Sequence, residues 1–235
     1  MTTILAIDTA SDACSAALYC DGEYQQRYAV APRQHSQIIF SMLGELLLDG
    51  RLCQHGVEAI AYGCGPGSFT GLRIAASVVQ GLAFANDLPA IPVSTLACQA
   101  ASAVRLGLVD EGTPILSVLD ARINEIYGAV YTVCSGVPRL LHGPVVCAPE
   151  QLQVVGEDVL QAVGSGCAFA EEFPLALRQK LSVVVAEAMP QAMDLVPPAL
   201  EMLAAGDVQC AAQVQPVYVR DEISWKKLAE QGKRS

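Results

Sequence analysis

The sequence has few of the residues that support metal chemistry or direct nucleic-acid binding. Its 235 residues include three histidines, one tryptophan, and 14 lysines and arginines against 24 aspartates and glutamates, for a formal net charge of −10. Phosphate contacts need clustered basic side chains, so this charge excludes a broad basic face that grips nucleic acid. We expect any nucleic acid in its function to be held by another chain.

Cys-x-x-Cys pairs are also absent, although the chain has nine cysteines. The odd count, and the lack of a basic then apolar N-terminal leader, favour a reduced cytoplasmic location with buried thiols over a disulfide framework. No uninterrupted apolar run reaches the roughly 18 residues of a membrane span. Hydrophobic residues make up 52% of the chain and charged residues 16%, which predicts extensive burial in a core or against a partner.

The spacing of the residues does not indicate a catalytic site. His35 begins a predicted helix, but Ile39 stands four residues later, so a two-histidine metal site on one helix face cannot form. The cysteines lack zinc-ligand spacing, and no nucleophile–base pair can be named. The sequence therefore predicts no catalytic residue, no metal site and no cofactor.

The stretch from Glu58 to Asn86 reads as strand, glycine turn and helix, with Ser68 or Thr70 as the N-cap of a helix over Leu72 to Ala85. It lacks the lysine of a P-loop, is one residue too long for a dinucleotide fingerprint, and does not match the Gly-x-Ser-x-Gly of serine hydrolases. A packing turn is the main interpretation. Weak anion binding stays open, with the candidate residues Asp8, Thr9, Gly65, Gly67 and Ser68.

Asp8 and Asp120 each end a predicted strand. Such carboxylates could hold a hydrated metal beside a phosphate, or could bond their own turn backbone. For Asp120 we favour the turn, since no Gly-Gly follows to admit a phosphate. For Asp8 both interpretations stand.

Helical spacing from His35 to Leu48 places an apolar stripe over Ile38, Ile39, Met42, Leu43, Leu46 and Leu47. Phe40 and Leu48 lie off that stripe, so the apolar surface is wider than a helix covering one core needs. The helix is either buried, or it docks a second face on a partner. The helix after the glycine turn is rich in Gly and Ala, which lets another backbone approach it closely.

Two segments about 100 to 110 residues apart share a pattern. Ile115 to Asp120 echoes Ile4 to Asp8, each followed by a polar turn and a strand, and Ala162 to Gly166 weakly echoes Ala61 to Gly65. Two lobes of related topology, or chance similarity of short strands, would explain this. We predict an N-terminal lobe over residues 1–106, a second lobe over 107–214, and an extended then helical tail over 215–235 that carries Trp225. Residues 188–206 read as a helix broken by Pro190 and Pro197-Pro198.

Five motifs closely resemble the bacterial TsaB (YeaZ) family along the whole chain. The most specific is Gly-Pro-Gly-Ser-Phe-Thr-Gly-Leu-Arg at 65–73; the others are residues 4–9, 35–37, 120–127 and 216–220. The resemblance implies an α/β, two-lobed, actin-like fold (acetate kinase/Hsp70/actin, ribonuclease H-like). It also implies a role in making N6-threonylcarbamoyladenosine at position 37 of tRNAs that read codons starting with A.

Members of that family are non-catalytic partners of the catalytic paralogue TsaD, joined by the ATPase TsaE, and they form homodimers when alone. The resemblance maps the docking helices onto 35–48 and 69–86. The implied interface residues are His35, Ile38, Ile39, Met42, Leu46, Phe69, Leu72, Arg73, Ala76, Val79 and Gln80. It further implies that tRNA is reached only through the complex.

Two departures argue against independent transferase activity: Ile39 replaces the second histidine of the catalytic paralogue, and the second lobe lacks a Gly-Gly turn. Gln37 also stands where the family commonly has Glu. A nucleotide-dependent small-molecule kinase of the same fold and a peptidase are the competing interpretations. The peptidase interpretation lacks any nucleophile or metal site.

Overall fold

A computed structural model describes residues 2–48 and 52–219, which form two five-stranded sheets with helices. The first sheet contains β1 (Thr3–Asp8), β2 (Ala13–Cys20), β3 (Glu23–Val30), β4 (Ala59–Gly65) and β5 (Ala90–Ser94). The second contains β6 (Ile115–Arg122), β7 (Glu125–Cys134), β8 (Val137–Cys147), β9 (Leu160–Val163) and β10 (Leu181–Val185). The α-helices are α1 (His35–Leu46), α2 (Phe69–Asn86), α3 (Thr95–Arg105), α4 (Leu175–Arg178) and α5 (Val196–Ala205). Short 3₁₀-helices cover Leu52–His55, Pro149–Gln151, Ser165–Glu172, Ala192–Leu195 and Ala211–Gln213.

The two sheets have the same topology. The first runs in the order β3-β2-β1-β4-β5, and the second, in the matching direction, β8-β7-β6-β9-β10. In each sheet the central strand pairs antiparallel with the hairpin strand that follows it and parallel with a later strand. The repeat is therefore confirmed, the chance alternative is wrong, and the α/β two-lobed actin-like class holds.

Apolar packing covers both faces of the first sheet, which explains why β1 and β4 are buried at every position. On one face, Leu5 and Ile7 belong to a core that includes buried side chains of α1 and α2. On the other face, Ile4 and Ala6 belong to a core with Leu195 and side chains of α5. Residues 192–205 thus return from the second sheet to the first. The proposed limits of the lobes remain a prediction.

Helix α3 connects the two sheets. Ser94 caps it by accepting a hydrogen bond from the Ala97 amide. The buried Gln99 donates through Nε2 to Ser117 Oγ at 2.9 Å and to the Val163 carbonyl at 3.1 Å, both in the second sheet. These bonds fix the helix against the second lobe.

One prediction about the C-terminal third is wrong, and another falls on residues that the structure does not describe. Pro197 and Pro198 do not break a helix; they stand in the first turn of α5, where a missing backbone N–H removes no helical hydrogen bond. Residues 188–191 are not helical. The predicted tail helix and Trp225 lie outside the described residues. Within the described part of the chain, no helix is long and apolar enough to cross a membrane.

Candidate docking surface and interlobe cleft

The glycine turn between β4 and α2 is a packing turn. Ser68 caps α2 by accepting from the Gly71 amide at 3.3 Å, so α2 begins three residues earlier than Leu72. The Ser68 amide itself donates to the Ala10 carbonyl at 2.7 Å. A Cβ on Gly67 would lie 2.5 Å from the same Ala10 oxygen, and one on Gly65 would lie 2.6 Å from the Val217 oxygen. The backbone at Ala10 and the backbone at Val217 therefore both pack closely against this turn.

Asp8 is enclosed rather than open to a ligand. Its side chain is fully buried, Oδ1 accepts from the Ala10 amide at 3.1 Å, and Oδ2 has no hydrogen-bond partner among the described residues. Burial raises the pKa of Asp8 to about 7. The neighbouring Thr9 is also buried and donates to the Gly71 carbonyl at 2.7 Å. Asp8 and Thr9 thus support the junction of β1 with the glycine turn.

Metal-ligating side chains do not cluster: no group of three His, Cys, Asp or Glu that could hold an ion occurs in residues 2–48 and 52–219. Cys64, next to the glycine turn, is buried, and burial raises the pKa of its thiol to about 12. A thiol with such a pKa carries almost no thiolate near pH 7 and is a poor nucleophile.

Asp120 behaves as a turn aspartate. Its Oδ1 accepts from the Arg122 amide at 2.7 Å, and its Oδ2 pairs with the Arg122 guanidinium at 3.1 Å. Both acceptor oxygens are therefore used within the β6–β7 hairpin. The interpretation of Asp120 as a turn residue is supported by these bonds.

Helices α1 and α2 border an apolar surface groove of about 480 Å³. Phe40 from α1 and Phe69 from α2 line it with 61% and 52% of their surfaces exposed. The other lining residues are Ser36, Ile39, Thr70, Arg73, Ile74, Ser77 and Val78. We call this set the α1–α2 groove. Large exposed aromatic side chains beside an apolar groove are typical of a protein-binding surface.

The structure separates the sequence-predicted interface residues into two groups. Phe69, Arg73 and Gln80 are exposed and Ile38 is half-buried. The others are buried in the single chain, and their part in an interface stays a prediction: His35, Ile39, Met42, Leu46, Leu72, Ala76 and Val79.

Specific contacts account for the burial of these residues. Ile39, Met42 and Leu46 belong to the core that joins α1 to the first sheet, and His35 Nε2 lies 3.2 Å from the Ala13 carbonyl oxygen. The apolar stripe that periodicity detects is thus the core face of α1. Phe40, absent from the predicted interface set, was nevertheless marked by its position off that stripe.

A larger cleft of about 910 Å³ lies between the lobes. The first lobe contributes Asp12 and Ser68, the second contributes Ile123, Tyr127 and Met189, and Tyr218 lies at its edge. Phe69, Thr70 and Arg73 line both this interlobe cleft and the α1–α2 groove. The N-terminal turn of α2 is therefore the wall that the two cavities share.

Aromatic and cationic contacts hold that wall together. The Arg73 guanidinium lies 3.7 Å from the centre of the Phe69 ring, a cation–π contact. Arg73 Nε donates to the Tyr218 hydroxyl at 3.1 Å. The centres of the Phe69 and Tyr218 rings are 5.8 Å apart. Sequence reasoning missed Tyr218 as a site residue, because only the tertiary fold brings it to α2.

Comparisons with known proteins agree with this architecture. Residues 26–224 match the sequence profile of the family described as TsaD, tRNA N6-adenosine threonylcarbamoyltransferase. The tRNA threonylcarbamoyladenosine biosynthesis protein TsaB of Escherichia coli is 37% identical, and that of Haemophilus influenzae 35%; each alignment covers 96% of this chain and 97% of the relative.

Solved structures of similar proteins also share the fold of this chain. YeaZ from Pseudomonas aeruginosa is 37% identical and superposes with a TM-score of 0.83 over 93% of this chain and 100% of that chain. A second structure, described as an uncharacterized protein with similarity to peptidase YeaZ, superposes with a TM-score of 0.85 over 94% of this chain and 100% of that one, at 37% identity.

Proposed function

The chain belongs to the TsaB (YeaZ) family, and we propose that it is a non-catalytic subunit in the biosynthesis of N6-threonylcarbamoyladenosine in tRNA. In this proposal it binds and activates a TsaD-type catalytic partner that modifies position 37 of tRNAs reading codons starting with A. A TsaE-like ATPase joins the pair, tRNA is held by the complex, and the free chain forms a homodimer. The location is the cytoplasm, and the chain itself needs no cofactor.

The exposed apolar face of α1 and α2 is the observation that carries this proposal. Phe40 and Phe69 border the α1–α2 groove, and Phe84, farther along α2, is 82% exposed. Exposed phenylalanines are favourable to bury, and each fully buried side chain of this size stabilises an interface by about 1.5–3 kcal/mol. A helical partner that lies along α1 and α2 would cover all three rings.

The chemistry of the enclosed groups supports a subunit without a reaction of its own. The Asp8 carboxylate lies inside the lobe, and the Ser68 amide at the glycine turn is bonded to Ala10. Cys64, the thiol nearest to that turn, is held protonated by burial. None of these groups is placed to attack or to hold a phosphate.

Reconstitution tests the proposal. A mixture of TsaD-like, TsaE-like and TsaC-like proteins with tRNA, threonine, bicarbonate and ATP should modify tRNA only when this chain is added. Full activity without this chain, or threonylcarbamoyl transfer by this chain alone, would refute the subunit role. Tight binding of ATP and Mg²⁺ that Asp8→Ala abolishes would instead favour the small-molecule kinase.

A matched pair of variants tests the surface. Phe40→Asp places a charge in the α1–α2 groove, whereas Val155→Asp places the same charge at a 72% exposed position that does not line the groove. We expect Phe40→Asp to lose co-elution with the TsaD-like partner and to lose tRNA modification. Val155→Asp should keep both. Equal behaviour of the two variants would exclude the groove as the docking site.

A further inference from the structure

The C-terminal segment, residues 209–219, crosses the first lobe and is bound to it. The Gln209 amide donates to the Ala90 carbonyl, and the Ala90 amide donates to the Gln209 carbonyl, both at 2.8 Å. The Tyr62 hydroxyl donates to Gln209 Oε1 at 2.8 Å and lies 3.3 Å from the Gln215 carbonyl oxygen. The first lobe therefore fixes the path of this segment.

The end of the C-terminal segment is held at the glycine turn. The Val217 amide donates to the Cys64 carbonyl at 2.8 Å. The Val217 carbonyl oxygen lies so close to Gly65 that an added Cβ would be 2.6 Å from it. Because the backbone at Val217 is fixed in this way, the next residue, Tyr218, is placed beside the N-terminal turn of α2.

Tyr218 contacts Phe69 both directly and through Arg73. Phe69 and Arg73 are four residues apart on α2 and so share one face of the helix. The Arg73 guanidinium carbon lies 3.7 Å from the centre of the Phe69 ring, and Arg73 Nε donates to the Tyr218 hydroxyl at 3.1 Å. The centres of the Phe69 and Tyr218 rings are 5.8 Å apart, a separation typical of interacting aromatic pairs. The three side chains thus restrain one another.

Phe69 is the member of this set that a partner in the α1–α2 groove would bury. Its ring lines the groove, whereas Tyr218 lines the interlobe cleft and not the groove. More than half of the Phe69 surface is exposed, so the core of the lobe leaves the ring room to change rotamer. Ordering one such side chain on binding weakens affinity by about two- to tenfold, and a ring that is already ordered avoids this loss.

We propose that Tyr218 is a positioning residue for partner docking. It holds Arg73 and the Phe69 ring from the side of the interlobe cleft, so that the ring has its docking conformation before the partner binds. This inference rests on the proposed function, because it takes the α1–α2 groove as the surface that a TsaD-type partner covers. Since Tyr218 lies outside the groove, its effect on binding passes through Phe69.

Titration of the full chain with the purified TsaD-like partner measures this effect. Tyr218→Ala should raise the Kd by about two- to tenfold, because the Phe69 ring must then be ordered on binding. Tyr24→Ala is the matched control. Tyr24 is 38% exposed against 47% for Tyr218, contacts the ring of Tyr19 at 5.0 Å, and lines neither cavity. It should leave the Kd unchanged, and urea unfolding checks that both variants are folded.

A double-mutant cycle shows whether Tyr218 acts through the Phe69 ring. Phe69→Ala should itself weaken binding, because the groove loses an apolar side chain. In that background Tyr218→Ala should have no further effect on the Kd, since the ring that it positions is gone. A loss in the double variant equal to the product of the two single losses would show that Tyr218 acts independently of Phe69, and it would overturn the inference.

Fluorine NMR of the free chain gives a readout that needs no partner. The chain has five phenylalanines, which are labelled with 4-fluorophenylalanine, and Phe69→Leu identifies the signal of Phe69. Tyr218→Ala should shift this signal and leave that of the buried Phe173 in place. An unshifted Phe69 signal would contradict the positioning role.

Failure of this inference can be distinguished from failure of the proposed function. A wild-type chain that does not bind the TsaD-like partner would refute both. Binding with the same Kd for the wild-type chain and Tyr218→Ala would refute the inference and leave the proposed function standing.

Discussion

The Thr9 side chain is hydrogen-bonded to the Gly71 backbone where the first hairpin meets α2. The Thr9 hydroxyl donates to the Gly71 carbonyl at 2.7 Å, and a Cβ on Gly71 would overlap the Thr9 carbonyl oxygen. Both residues are buried. The last glycine of the Gly-Pro-Gly-Ser-Phe-Thr-Gly motif is therefore explained by close packing of α2 on the β1–β2 turn.

Gly71→Ala should destabilise the protein by several kcal/mol, because the new methyl group meets rigid backbone rather than a movable side chain. Gly81→Ala is the matched control in the same helix. Nothing lies within 4 Å of its added Cβ, so alanine should stabilise the helix by about 0.5–1 kcal/mol. Urea unfolding of both variants measures the difference. Equal midpoints for the two variants would contradict this packing.

Ile39 and Phe40 are neighbours in α1 with opposite environments: Ile39 is fully buried, and Phe40 is 61% exposed. Ile39→Asp places an unpaired charge in the core and should cost several kcal/mol of stability. Phe40→Asp should change stability by no more than about 0.5 kcal/mol while abolishing self-association. Thermal unfolding and sizing chromatography separate the two effects. Loss of folding in both variants would mean that Phe40 also supports the core.

Asp8 should make stability depend on pH. Burial raises its pKa from 3.8 to about 7, so between these values the folded chain keeps a proton that the unfolded chain has released. The free energy of unfolding should then fall as pH rises from about 4 to 7, by up to about 1.4 kcal/mol per pH unit from this group. Asp8→Asn should remove that part of the slope. Parallel urea titrations of both proteins between pH 4 and pH 8 provide the test, and identical slopes would show that Asp8 ionises freely when folded.

Asp194 anchors the segment that returns to the first sheet. Its carboxylate accepts two bonds from Arg105, at 2.7 and 2.9 Å, and one from Ser102 Oγ at 2.7 Å. Asp194→Ala should cost about 2–3 kcal/mol, because the carboxylate is buried while Arg105 keeps partial access to water. Glu45→Ala breaks the exposed Arg27–Glu45 pair and should cost less than about 1 kcal/mol. Similar losses for the two variants would contradict this role of burial.

Local signals predicted most of the secondary structure. Ser68 caps its helix as expected, since a hydroxyl before a helical segment satisfies free amides of the first turn. The strand–turn–strand echo between Ile4 and Ile115 correctly indicated duplicated sheets. Pro197 was misread because the same residue can break a helix or begin one, and its neighbours decide which.

The candidate surface was predicted less well than the fold. The resemblance assigned the docking face to α1 and α2, and two of the interface residues that it implied, Ile39 and Leu72, are buried in the first lobe. A hydrophobic period of about 3.6 residues indicates an apolar stripe on a helix, but it does not show whether that stripe packs on the protein's own sheet or on another protein. Phe40, off the stripe, was the residue that pointed outward.

The sequence by itself determined the two-lobed α/β fold, the family, and the lack of a P-loop or a two-histidine site. It did so because these features depend on short-range spacing. Only the tertiary structure decided which apolar side chains remain exposed, that Asp8 is enclosed, and that Tyr218 meets Arg73 from 145 residues away along the chain. Those features arise from packing between distant segments, which no local pattern encodes.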